Sequence, residues 1–203
     1  MQIRPFWLAA VAVIASIQVH AATPPSAFSC IDLRKAAQRL QVHATNIANA
    51  NTTRVPGGGP YKAIELRCRE MFCESITKED FRLVYDTSHP DANKAGYVQY
   101  PNLDLSSEIA ALNSAATEVK LLGASGVCGA SALTTASSAL VKYDAGTSIL
   151  TDVLNFSADG KLTSWSRTNR DGKSEHYSFA ADGSLAKSAA PGLATAPATS
   201  TMK

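Results

Sequence analysis

Apolar residues recur at alternating spacings of four and three along two stretches of this chain. Between residues 31 and 49 they are Leu33, Ala37, Leu40, Ala44 and Ile47, with Arg34, Lys35, Gln38, Arg39, Gln41 and His43 on the other side. Between 105 and 122 the rhythm returns as Leu105, Ile109, Leu112, Ala116 and Val119, with Asp104, Ser106, Ser107 and Glu108 at its start. This period predicts an amphipathic helix with a narrow apolar stripe. Asp and Ser before the second stripe supply oxygens for the unpaired N–H groups of a helix start. Two stripes of equal length, both leaning on alanine, suit a close antiparallel hairpin with Ile47 near Leu105 and Leu33 near Val119.

Elsewhere short apolar runs replace the helical period. Residues 61–66 and 81–85 read as strands of a β insert between the helices. Runs at 140–143, 149–156, 162–167 and 175–179 are separated by Asp144-Ala-Gly146, Asp159-Gly160 and Asp171-Gly172, with Asp182-Gly183 closing the series. Asp-Gly between such runs signals hairpins, so an antiparallel meander of about four strands is expected. Leu154, Phe156, Trp165, Tyr177 and Phe179 are candidates for its buried face. An Ala-Asp-Gly-(Lys or Ser)-Leu unit repeats at 158–162 and 181–185. The expected fold class is therefore α+β: a two-helix hairpin with a short β insert (22–128), a linker or weak helix (129–138), a meander (139–187) and a disordered tail (188–203). The tail's Ala, Pro, Ser and Thr composition does not bury a core.

The first residues change the setting. Arg4, an apolar run from Phe6 to Val19 and small residues before Ala22 predict a cleaved secretory signal over residues 1–21. The run is shorter than the roughly 20 residues that span a bilayer, so the mature chain is expected to be periplasmic or secreted and not membrane-spanning. Lys and Arg number 19 against 17 Asp and Glu, and loss of Arg4 with the leader leaves 18. Near-neutrality gives no reason to expect nucleic acid as a partner. Four cysteines behind a leader favour disulfides. The count leaves three pairings open, and the hairpin chooses among them. Cys30 starts the first helix, and Gly123-Ala-Ser-Gly-Val127 lets Cys128 fold back to it, leaving Cys68 and Cys73 to close a small loop.

Reactive constellations are weak. Ser88, His89 and Asp91 are adjacent loop residues that do not present a nucleophile in line, and no Gly-x-Ser-x-Gly elbow occurs. Cys68 and Cys73 lack the spacing of a zinc knuckle, and Gly57-Gly58-Gly59 is followed by Pro60 instead of Lys-Ser/Thr. No enzyme, metal, cofactor or small-molecule substrate is expected.

Two motifs, Leu40-Gln-Val-His-Ala-Thr-Asn-Ile-Ala-Asn49 with Gly57-Gly-Gly-Pro-Tyr-Lys62, and Tyr85-Asp-Thr-Ser-His-Pro-Asp-Ala-Asn-Lys-Ala-Gly-Tyr-Val-Gln-Tyr-Pro-Asn-Leu-Asp104, stand in this order. Together they resemble the flagellar basal-body rod proteins, in particular the proximal rod protein of the C type, over roughly residues 33–122. The resemblance implies a non-enzymatic structural subunit that assembles helix to helix with other basal-body or envelope proteins. The residues implied for assembly are Leu33, Leu40, Asn46, Ile47, Asn49, Tyr97, Tyr100, Pro101, Asn102, Leu105, Ile109, Leu112 and Val119. Three features depart from the family: the leader, a second helix ended early by Gly123-Ala-Ser-Gly126, and the cysteines with the appended meander. They support an alternative, an exported adaptor that keeps the hairpin as scaffold and holds an envelope partner with Trp165, Tyr177 and Phe179.

Overall fold

The computed structural model describes residues 29–189. The expected leader and residues 190–203 of the expected tail lie outside them. Helix α1 (Cys30–Ala48) begins at Ser29, whose Oγ accepts from the Asp32 N–H at 3.3 Å while the Ser29 N–H donates to Asp32 Oδ2 at 2.8 Å. This reciprocal cap satisfies two donors that a helix start otherwise leaves open. Helix α2 (Leu105–Ala124) begins at Asp104, which takes the backbone N–H groups of Ser106 and Ser107. Arg39 of α1 pairs with Glu118 of α2, and His43 with Glu108. The helices therefore run in opposite directions, and the Cys30–Cys128 bridge joins the start of α1 to the turn beyond α2.

Two small ribbons separate the helices in sequence. Strands β1 (Ala63–Cys68) and β2 (Cys73–Lys78) pair antiparallel from Ala63↔Lys78 to Cys68↔Cys73, and a Cys68–Cys73 bridge closes their tip. Strands β3 (Phe81–Tyr85) and β4 (Tyr97–Pro101) pair from Phe81↔Pro101 to Tyr85↔Tyr97.

After α2 the chain builds one six-stranded antiparallel meander in simple sequence order. Its strands are β5 (Ser131–Thr134), β6 (Ser138–Asp144), β7 (Ile149–Phe156), β8 (Leu162–Asn169), β9 (Ser174–Phe179) and β10 (Leu185–Ala189). Alternate residues of β6 to β9 point to one buried face, where Ala139, Leu154, Trp165 and Tyr177 form a cross-strand row. Trp165 and Tyr177 stack with centroids 5.2 Å apart, an arrangement that contributes beyond its buried area.

Three expectations are corrected here. The stretch 129–138 is neither linker nor helix: Ser131–Thr134 is an edge strand, with Ala132 opposite Val141 and Leu133 opposite Leu140. Its Ala, Ser and Thr residues carry little signal alone and become a strand because β6 offers an open edge. Ser188 and Ala189, expected in the disordered tail, belong instead to a strand, pairing with Tyr177 and His176. Lastly, hairpin and meander are not separate modules. Leu33, Leu40, Leu112 and Val119 share one core with Val141, Leu154, Trp165 and Phe179.

Gly123 shows why the sheet comes so close. It does not end α2 but lies buried inside it, and a Cβ there would stand 2.4 Å from Val141 Cγ1. Gly183, with φ of 84°, seats the β9–β10 turn on Ile109 of α2 in a similar way. The apolar stripes are consequently wider than a two-helix contact requires. Ala36 and Ala115 are buried too, because each helix faces both its neighbour and the sheet.

Candidate functional site: the ribbon face of the helix pair

The side of the helix pair away from the sheet is organised around Asn46. This side chain, on the last turn of α1, is 1% exposed. Its Nδ2 donates to the Ile64 carbonyl at 2.8 Å, and its Oδ1 accepts from the Ile64 N–H at 3.0 Å. The carboxamide thus imitates a neighbouring strand, filling both hydrogen-bonding positions of one β1 residue. Tyr61 donates its hydroxyl to the same Oδ1 at 2.9 Å. Burial, with help from Glu108, pushes the Tyr61 phenol well above its ordinary range, which keeps it a donor. Three residues on, Asn49 donates to the Thr45 carbonyl at 2.9 Å and accepts from Thr52 at 3.2 Å, closing the helix end.

Glu108, in the first turn of α2, completes the clamp. Its Oε2 lies 2.7 Å from His43 Nδ1 and 3.3 Å from Asn46 Nδ2. A carboxylate is favoured in a helix's first turn, where N–H groups point outward. Beside this cluster a cavity of about 340 Å³ opens between α1, α2 and the first ribbon. Its walls carry Arg39, His43 and Lys78 against Glu65, Asp104 and Glu108, over an apolar floor that includes Val42 and Leu66. Lys78 is paired with Glu65 at 2.7 Å and Arg39 with Glu118 at 2.5 Å, so these charges are already answered within the chain. Among the described residues no group of three His, Cys, Asp or Glu stands together as a metal site.

Further out, the ribbons expose apolar side chains. Leu83, Tyr85 and Tyr97 share the outer face of β3–β4, the two tyrosines edge to face at 5.2 Å. Leu83 is 60% and Tyr85 66% exposed, and at the bridged tip of β1–β2 Met71 is 68% and Phe72 56% exposed. On the opposite face of β3–β4, Arg82 lies over the Tyr100 ring at 4.7 Å. The loop between these strands is tied back by Asp91, which accepts from Thr53 at 2.7 Å and Arg54 at 2.5 Å. Those two bonds hold its carboxyl below the usual range.

The residues expected at an assembly surface divide sharply. Leu33, Leu40, Asn46, Ile47, Asn49, Leu112 and Val119 are buried within the chain, as is Pro101, and Ile109 and Tyr100 are half-buried. Tyr97, Asn102 and Leu105 remain exposed, although Asn102 is hydrogen-bonded to Asp80. The expected partner contacts Trp165, Tyr177 and Phe179 are corrected outright. They are 0, 1 and 6% exposed, because the alternation that makes them apolar turns them under the helices.

Beneath α1 lies a polar group that the apolar pattern does not signal. Asp152 and Arg167 are cross-strand neighbours on the buried face of the sheet. Arg167 donates to both Asp152 oxygens, at 2.8 and 3.0 Å, and to the Ala37 carbonyl and Gln41 Oε1 of α1, at 3.1 and 3.0 Å. Tyr143 and Trp165 donate to Asp152 at 2.9 and 3.2 Å. Burial works against the guanidinium charge, but Asp152 outweighs it and Arg167 is held protonated.

No protein-family model matches the chain. Among curated proteins it is similar to the flagellar basal-body rod protein FlgC of Borreliella burgdorferi, 30% identical over 110 residues, covering 38% of this chain and 70% of that protein. It is also similar to FlgC of Escherichia coli O6:H1, 31% identical over 84 residues (36% and 63%), and of Bacillus subtilis, 33% over 94 residues (32% and 63%). The chain thus spans 63 to 70% of the length of these relatives.

Proposed function

The chain belongs to the flagellar basal-body rod protein family, and from that membership we propose that it serves as a proximal, C-type rod subunit exported to the periplasm. Like its relatives it is a structural protein with no enzymatic role. The observation that carries the reading is similarity to rod proteins of three bacteria, together with a ribbon face whose large apolar side chains are exposed among the described residues. Helix-to-helix packing here is used up internally, so neighbouring rod subunits meet the outer ribbon face, at Leu83, Tyr85, Tyr97, Met71 and Phe72. Such aromatic and methionine side chains are enriched at protein interfaces. Deleting the gene is expected to abolish swimming and leave basal bodies without a complete rod. Normal motility with normal basal bodies overturns the proposal.

One observation favours a second reading, an exported adaptor that contacts an envelope partner. The six-stranded sheet covers the apolar stripes that an assembling helix pair would present. Tyr85→Ala with Tyr97→Ala separates the two readings: it removes the chain from isolated basal bodies under the first and leaves motility unchanged under the second.

A further inference from the structure

We infer that β5 is a pairing edge for a second copy of this chain, the two strands joined antiparallel about a two-fold axis at Leu133. The inference is independent of what the ribbon face binds. An edge strand presents a row of unpaired N–H and C=O groups, and folded proteins blunt such rows with charges, proline or bulges. Every other sheet-ending strand among the described residues is blunted in this way: β1 by Glu65 and Arg67, β2 by Glu74 and Lys78, β3 by Arg82, β4 by Pro101, and β10 by Lys187 beside a register shift. Strand β5, Ser131-Ala-Leu-Thr134, has none of these.

Its backbone has a definite outward set. The Thr135 N–H donates to the Ser138 carbonyl at 2.8 Å in the turn to β6, and hydrogen-bonded pairs alternate along an antiparallel ladder. Leu133 with Leu140 and Ser131 with Lys142 are therefore the bonded pairs, and Ala132 and Thr134 turn their N–H and C=O groups away from β6. These two positions flank Leu133 symmetrically. A two-fold axis normal to the sheet brings Ala132 of one copy opposite Thr134 of the other, so that outward N–H groups meet outward C=O groups, and it sets Leu133 against Leu133. The register with Ala132 against Ala132 would need Ala130, whose N–H is spent on the Val127 carbonyl at 2.9 Å. Such an axis also keeps the faces of the sheet in common. Ala132 stays on the helix side, packed against the core, and Leu133 on the open side, where it is 76% exposed beside Leu140 at 39%. Residues paired without mutual hydrogen bonds bring their side chains closest. The join therefore covers the most exposed large apolar side chain among the described residues, in the self-complementary manner of a two-fold interface.

Sedimentation equilibrium of the full mature chain tests this, with amide exchange read at low and high concentration. A concentration-dependent dimer is expected, with the Ala132 and Thr134 amides protected only where it forms. Thr134→Pro removes an outward N–H and leaves the ladder to β6 intact, a position where edge strands tolerate proline. Its dimer dissociation constant should rise on the order of ten-fold. Under mild oxidation Leu133→Cys should crosslink the dimer, whereas Leu140→Cys, roughly 14 Å from its counterpart across the join, should not. Leu83→Lys on the ribbon face should leave the dimer intact. A chain that stays monomeric up to about 1 mM overturns the inference. So does a dimer that Thr134→Pro leaves unchanged, that Leu83→Lys abolishes, or that Leu133→Cys fails to crosslink, and so do Ala132 and Thr134 amides protected in the monomer by another part of the chain. The wild-type measurements decide the matter even where a variant fails to fold.

Discussion

Asn46 ties the end of α1 to the first ribbon through hydrogen bonds. Its carboxamide joins α1 to both hydrogen-bonding groups of Ile64 and to Tyr61. Asn46→Ala leaves those half-buried groups without their partner, and a loss of about 1 to 3 kcal/mol is expected in urea unfolding. Asn46→Asp should cost more, since it keeps the acceptor, loses the donor and sets a second carboxylate against Glu108. At the start of α2, hydrogen bonds from Ser107 and Ser106 pull the Asp104 carboxyl down to about 2 from an ordinary 3.8. A folded-state value below the unfolded one means stability that is present above about pH 4 and lost as the pH falls through about 2. Asp104→Asn retains a capping oxygen without the titration, so its urea midpoint should fall less than the wild type's between pH 5 and pH 2. Asn46 was legible in the sequence as a helix-ending residue, but its partner was not, because Ile64 looks like any strand residue. Asp152 and Arg167 were invisible for the opposite reason: charged side chains in an alternating strand are read as outward-facing, and only α1 above them supplies the acceptors that allow burial.

Helices were the most readable elements, since a stripe that repeats over about four turns is hard to mistake. What the stripe concealed was its second face. Gly123 lies in the contact between α2 and β6, where a methyl group meets Val141 at 2.4 Å. Gly123→Ala is expected to cost about 1 to 3 kcal/mol by overpacking. Combining it with Val141→Ala should recover part of that loss, which a double-mutant cycle would read as non-additivity. The two bridges differ in scale. Cys30–Cys128 joins residues 98 apart and Cys68–Cys73 residues 5 apart. In the chain-entropy model the long loop contributes about 4 to 5 kcal/mol and the short one about 2. Paired Cys→Ser variants compared by chemical denaturation check the ratio; equal losses would show that the long bridge acts in some other way.

At the scale of the molecule, the helix pair and the meander unfold as one unit if the shared core is what holds them. A single calorimetric transition is the expected result, and a chain ending at residue 129 should lose its helical circular dichroism because Leu33, Leu40 and Val119 lose their cover. Two separated transitions would restore the modular organisation that the sequence suggests. That division came from the low-complexity stretch after α2, which reads as a tether when composition is the only guide and becomes an edge strand once β6 is beside it. The same compactness gives the salt bridge under α1 a role beyond stability. Leucine, alanine and valine tolerate displacement along a sheet with little penalty, whereas the guanidinium of Arg167 meets Asp152, Gln41 and the Ala37 carbonyl in only one alignment. Sliding α1 by a single turn takes the Gln41 oxygen and the Ala37 carbonyl away from guanidinium N–H groups that are buried from water. An otherwise greasy interface is thereby keyed to one setting, and replacing the pair with methionine and leucine should yield a protein of similar stability whose helix docks in several places.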